Sequence, residues 1–422
     1  MAKETIEASR TPAGIPVITI GPGKSGRCGY MVAVRAGSRD EAPGNLGISH
    51  LLEHSVFRRA GGRTSFEISR DMEAAGGSMN AFTSKEMTGY HGSTILETAG
   101  VARELVGDIV ADPSLDGPDI ELEKKIVLQE ISMWENDPES YIHKLMSDTL
   151  WEGHGLSQNE AGLAEVVDSL GEADLREYYG ERYGAPSMVV IACGDAPHDE
   201  TVGWAEERFD PMGGGPRRRV PPKALPPAYV RTPWEGGHCY VGMGFQTCPP
   251  DHADHTALGL LGAILGAGAS SRLFHKVREE SALVYSVYSV APTYSDAASM
   301  ETYFSSTPKN VLEAIEAVAS VWRGIKDGGL ADGELRKAKN MAWGRRTALA
   351  ESTDNTMYSA ARQYMVKGEV ETMADYKSRI ESVTGEDVMR VAGKYLDPGA
   401  LRVAMYGTAP SMEGFSVSQV DF

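Results

Sequence analysis

Residues 211–227 read PMGGGPRRRVPPKALPP. Three consecutive glycines and six prolines can continue neither a helix nor a central strand. The stretch reads as an interdomain linker, semi-rigid where proline dominates. It separates a first domain, 1–210, from a second, 228–422. Apart from Lys223, nothing close around Arg217–Arg219 is basic, so the run reads as a solvated linker face.

Working outward, the two sides share a grammar. Each opens on strand-like text: Val17–Ile20 and Cys28–Arg35 on one side, His238–Phe245 on the other. Glycine-punctuated amphipathic helices follow. Each side closes on an apolar strand, Ser187–Cys193 and Leu401–Tyr406. The expected fold is therefore α+β in two similar halves, arising by duplication.

Within the first half, helices are expected at Gly47–Phe57 (Asn45 as cap), Thr64–Ala75 and Asp119–Glu135, with strands across Ser78–Ile95. The last helix takes its apolar period from Ile120, Leu122, Ile126, Val127 and Ile131. In the second half, helices are expected at Ala253–Leu265, Ser271–Glu280, Lys309–Asp327, Asp332–Glu351 and Thr356–Lys367. A strand is expected at Ser281–Pro292.

The charge narrows the function. Fifty-nine acids against 41 bases give a net −18. That argues against a nucleic-acid partner and against an anionic membrane surface. The longest apolar run, Ala257–Ala269, is too short to span a bilayer. The opening MAKETIEA lacks the apolar core of a signal peptide and is too acidic for a transit peptide. Cys28, Cys193, Cys239 and Cys248 have no CxxC spacing and read as reduced, mostly buried thiols. A cytoplasmic chain is expected.

Two glycine-rich stretches imitate nucleotide loops. Gly21–Ser25 (GPGKS) lacks the first glycine of that motif, with Ile18 in its place, and reads as a hairpin turn. Gly262–Gly268 has no lysine at the required spacing and reads as close helix packing.

The chemistry concentrates at His50-Leu51-Leu52-Glu53-His54. Histidines at i and i+4 share one helix face and can take adjacent corners of a zinc tetrahedron. Glu53 projects near the same face, where it can take a proton from an attacking water. The competing reading is an amphipathic helix with surface histidines. A third ligand would decide between them, and the 119–135 helix offers Glu123 and Glu130, seven apart on nearly one face. His91, His143 and His154 lack ligand spacing.

With Glu130 following His54 after 75 intervening residues, the sequence resembles the pitrilysin/insulinase zinc metallopeptidases. The adjoining Ala36-Gly37-Ser38-Arg39-Asp40-Glu41 and Gly47-Ile48-Ser49-His50-Leu51-Leu52-Glu53-His54 carry the same likeness. The length is like the short members, such as mitochondrial processing peptidase subunits. The resemblance implies a clamshell of two halves, each a mostly antiparallel sheet packed with helices, around a chamber. It implies one Zn2+ per chain on His50, His54 and Glu130, with Glu53 as general base. Glu123 would orient a ligand histidine. Ser78, Met79, Asn80, Ala81, Phe82 and Thr83 match the edge strand on which that family binds an unfolded peptide by strand addition. Glu86 and Tyr90, in the same segment, carry no clear role. Arg278 and Tyr285 match the family's arginine–tyrosine segment, holding a substrate carbonyl or carboxylate and the oxyanion.

These residues make a zinc endopeptidase the expected function. The alternative is a non-catalytic scaffold or partner subunit of the same fold. One chain carries both sets of residues, so a homodimer would be self-sufficient, and a heterodimer with a homologous subunit stays open.

Overall fold

A computed structural model describes residues 5–21 and 26–422. The turn expected at 21–25 lies, beyond Gly21, outside the described residues. In chain order the strands are β1 (Thr5–Arg10), β2 (Pro16–Gly21), β3 (Arg27–Val34), β4 (Arg59–Ala60), β5 (Arg63–Thr64), β6 (Ser78–Thr83), β7 (Thr88–Ile95), β8 (Met188–Cys193), β9 (Ala228–Thr232), β10 (Cys239–Thr247), β11 (Val284–Val290), β12 (Ala298–Ser306) and β13 (Arg402–Tyr406). The helices are α1 (Ile48–Ser55), α2 (Ser65–Ala74), α3 (Ala99–Ala111), α4 (Gly117–Asn136), α5 (Pro138–Leu150), α6 (Ala164–Ser169), α7 (Glu172–Arg182), α8 (His198–Phe209), α9 (His255–Gly266), α10 (Val311–Gly328), α11 (Glu334–Leu349), α12 (Thr353–Lys367), α13 (Met373–Ser382) and α14 (Gly385–Tyr395).

The chain forms two compact units. The first takes residues up to Met133, Gln158–Val220 and Thr347–Met373; the second takes Trp134–Ser157, Pro221–Arg346 and Ala374–Phe422.

The first unit holds a six-stranded sheet in the order β1-β2-β8-β3-β7-β6. Only β2 and β8 pair in parallel; the other neighbours are antiparallel. β8 (MVVIAC) is buried throughout, as a central strand covered on both faces should be. It lies between β2 and β3, so those two strands are not the hairpin expected around 21–25.

Along β3 the side chains alternate. Val32 and Val34 join a core with Leu51, Ile109, Val127 and Tyr178. Met31 and Ala33 join a second core with Met357, Ala360 and Ala361 of α12.

The second unit repeats this plan with a five-stranded sheet, β11-β12-β10-β13-β9. Val241, Met243 and Phe245 of β10 pack with Leu261, Ile315 and Val391. The apolar run at 257–269 becomes α9 and fills this core. The other face is covered by Ile142, Leu145 and Met146 of α5. A Cβ on Gly242 would stand 2.9 Å from the Met146 sulfur, so glycine on β10 is what lets α5 lie this close.

The expected boundaries 1–210 and 228–422 therefore miss two segments. α5 precedes the 211–227 stretch yet packs in the second unit, and α12 follows it yet packs in the first. The reason is physical. Each sheet has two apolar faces; helices from its own half cover one, and the other takes a helix from the opposite half.

The arginine run also departs from expectation. Arg219 is buried against Asp40, with bonds of 2.9 and 2.7 Å and side-chain exposures of 6% and 1%. Arg217 donates to the Asp40 carbonyl. Arg39 pairs with Glu86, which also lies 3.4 Å from Arg219. Asp40 and Glu86 are buried carboxylates that need counter-charge, and part of the 211–227 stretch supplies it. All four cysteines are buried and in no disulfide. Among the described residues, no helix is long and apolar enough to cross a membrane.

Candidate metal centre

α1 carries His50, Glu53 and His54. Its N-cap is Gly47, not the expected Asn45, whose side chain instead accepts from Ala42 N–H. Gly47 has φ +95°, and a Cβ there would meet the Ala161 carbonyl at 2.7 Å. Only glycine fits on both counts. The free N–H groups of this helix end are taken by Glu41, which accepts from Gly47 at 2.7 Å and Ser49 at 2.9 Å. Burial pushes the Glu41 carboxyl up to about 7, although the Gly47 and Ser49 bonds pull it down. Ser49 also bonds Tyr178 of α7, tying α1 to its neighbour.

α4 runs past α1 with Glu123 and Glu130 toward it. Ile120, Val127 and Ile131 are buried, but Leu122 and Ile126 stand 45% and 42% exposed. A straight helix explains the split. The buried residues lie on one side of the two glutamates, and Leu122 and Ile126 lie on the other.

His50 Nε2 and His54 Nε2 each lie 3.6 Å from the same Glu130 Oε2. The ring centroids are 4.7 Å apart. Among the described residues, these three form the one group of His, Cys, Asp or Glu able to hold a metal ion. Donors about 2.1 Å from a tetrahedral zinc stand about 3.4 Å from one another. The observed spacing fits that and is too long for direct hydrogen bonds.

The His54 tautomer suits the same purpose. Glu123 Oε2 accepts from His54 Nδ1 at 3.1 Å, which leaves the Nε2 lone pair free. Glu123 is 6% exposed, and Arg58 Nη1 holds its other oxygen at 3.3 Å. Burial and the neighbouring His54 push the His50 imidazole down to about 4, so it stays neutral, as a ligand must. For His54, burial opposes the charged ring, but the Glu123 bond and the charges of Glu130 and Glu53 outweigh it and raise its pKa. Burial raises Glu53, against the pull of Thr83 and His54. Arg58 and Glu41 are contacts that motif reading misses.

β6 is the outer strand of its sheet, next to β7 alone. Met79 and Ala81 pack on the core shared with α1, while Phe82 packs on the α12 side against Tyr358. Thr83 donates to Glu53 Oε2 at 2.6 Å. Glu86 belongs to the buried ion network, and Tyr90 is buried with its hydroxyl 2.6 Å from that of Tyr183.

Arg278 and Tyr285 belong to the second unit. The end of the expected 271–280 helix winds as a π-helix, Phe274–Glu280, a distortion frequent at functional sites. The Arg278 guanidinium carbon lies 4.6 Å from the Phe274 ring centre and 5.8 Å from that of Tyr285. Tyr285 is 76% exposed. Ala282, between them, has φ +49°.

Comparison with known proteins gives two family matches. Residues 18–162 match the insulinase family (peptidase family M16), and residues 169–342 match the peptidase M16 inactive domain. The second match does not include His50, His54 or Glu130. An uncharacterized zinc protease of Mycobacterium bovis is 30% identical over 411 residues, covering 95% of this chain and 93% of that one. One from Bacillus subtilis is 29% identical over 363 residues, covering 86% and 88%. A protease from Helicobacter pylori shares the fold at TM-score 0.87 and 20% identity, covering 96% of this chain and 100% of the other. A peptidase M16 inactive domain from Pseudomonas fluorescens does so at TM-score 0.88 and 18% identity, covering 96% and 99%.

Proposed function

The chain belongs to the insulinase family of peptidases, M16, and from that premise we propose that it is a zinc-dependent endopeptidase acting on short or unfolded peptides. His50, His54 and Glu130 hold one zinc per chain, and Glu53 is the general base. The observation that carries the reading is the convergence of two Nε2 atoms on one Glu130 oxygen, with the His54 tautomer set by Glu123.

Zinc in that place would polarise a scissile carbonyl and make a water acidic enough to attack. The residues do the rest. Glu53 takes the proton of the attacking water and returns it to the leaving amine. The outer edge of β6, Ser78–Thr83, offers main-chain groups to an extended peptide, which selects unfolded substrates over folded ones. Arg278 holds a substrate carbonyl or carboxylate, and the Tyr285 hydroxyl stabilises the oxyanion. The exposure of Tyr285 supports its availability. A homodimer would supply both residue sets without a second gene product, and a heterodimer with a homologous subunit is the other arrangement.

Glu53→Gln tests the reading. It should keep zinc and lower peptide cleavage by roughly a hundredfold or more. A purified protein that binds no zinc, or a variant that cleaves as the wild type does, would overturn it.

A further inference from the structure

The β6 strand carries two tasks on different parts of each residue. Strand addition would use its outward main-chain groups, while its side chains stand above and below the sheet. Met79 and Ala81 face the α1 side and Phe82 the α12 side, so the alternation brings Thr83 to α1. There its hydroxyl donates to Glu53 Oε2 at 2.6 Å. The two residues are thirty apart in sequence and lie on different elements.

We infer that Thr83 is the positioning residue of the general base: its hydroxyl pins one carboxylate oxygen of Glu53 and leaves the other to carry the proton. The inference rests on the peptidase reading and deepens it. A glutamate carboxylate turns freely about its last torsion. A base that must receive a proton and then deliver it needs one orientation through both transfers. Threonine suits the task because its branched Cβ limits rotation and the strand fixes its backbone. The edge that receives the peptide and the donor that aims the base are then one rigid segment. Peptide binding and proton transfer share a common frame.

The test uses the zinc-loaded full chain and an unstructured peptide that the wild type cleaves. Thr83→Val removes the hydroxyl and keeps the shape. Loss of a hydrogen bond to a charged group predicts a fall in kcat of roughly ten- to a hundredfold. KM should stay within about twofold, because the main chain of β6 is unchanged. Thr83→Ser should restore kcat to within about threefold of wild type. Zinc content should match the wild type, and Thr83→Ala replaces the valine variant if that one fails to fold. In a Glu53→Gln background, Thr83→Val should lower cleavage no further.

A second readout needs no activity. Crystal structures should show the Glu53 carboxylate in one orientation in the wild type, and turned or disordered in Thr83→Val. Unchanged kcat in Thr83→Val, a rise in KM alone, or an unmoved Glu53 carboxylate would each overturn the inference. A wild type that cleaves no peptide would defeat the peptidase reading, while the carboxylate orientation would still judge Thr83.

Discussion

Glu123→Ala should weaken zinc binding by roughly ten- to a hundredfold, the usual effect of losing the group behind a ligand histidine. That is about 1.4–2.7 kcal/mol. The structure shows where the loss arises. Glu123 is 6% exposed and spans two partners, His54 Nδ1 at 3.1 Å and Arg58 Nη1 at 3.3 Å. Without it, the His54 ring can turn or carry its proton on the wrong nitrogen. The metal-free chain would suffer too, since a half-buried guanidinium and a ring N–H lose their acceptor, at about 1–3 kcal/mol. Glu123→Gln keeps an acceptor and loses the charge, so it should fall between wild type and alanine. The assay is zinc competition against a chelating dye at fixed pH, with thermal unfolding of the metal-free proteins alongside. An alanine variant with wild-type zinc affinity and a wild-type melting temperature would refute the reasoning.

The Glu41 carboxyl is held near 7 by burial, above its ordinary value of 4.5. The folded chain binds that proton more tightly than the unfolded one, so its stabilising contribution is full below pH 4.5 and is lost as pH rises through about 7. In denaturant unfolding, the stability of the wild type relative to Glu41→Gln should decline by on the order of 3 kcal/mol across that window. A difference that does not change with pH would reject the assignment. Arg219→Ala should cost about 3–5 kcal/mol by stranding the buried Asp40 charge, against near zero for a solvated linker residue; urea midpoints decide between them. Ala282→Gly should stabilise the chain by up to about 1 kcal/mol by relieving the left-handed backbone, and a lower melting temperature would count against it.

The cluster of His50, His54 and Glu130 was legible because its core pattern is local. Two histidines one turn apart declare a shared face without any tertiary knowledge, and the family likeness supplied Glu130. The supporting contacts were not legible. Thr83 reaches Glu53 across thirty positions and Arg219 reaches Asp40 across 179, distances over which spacing says nothing. Periodicity also misled. Leu122 and Ile126 fit an apolar stripe by count but lie beyond the glutamates, on the exposed side of α4. An amphipathic pattern in α5 or α12 announces a face to be buried, not the sheet that buries it, so the domain boundaries read from composition missed both helices.

The crossing over of α5 and α12 has a consequence for dissecting the protein. A gene cut within 211–227 would encode two polypeptides, each with one sheet lacking its lid and one orphan helix lacking its seat. Expressed singly, each should aggregate through that bare apolar face. Expressed together, the pair should rescue one another, so complementation between the pieces is built into the order of the chain.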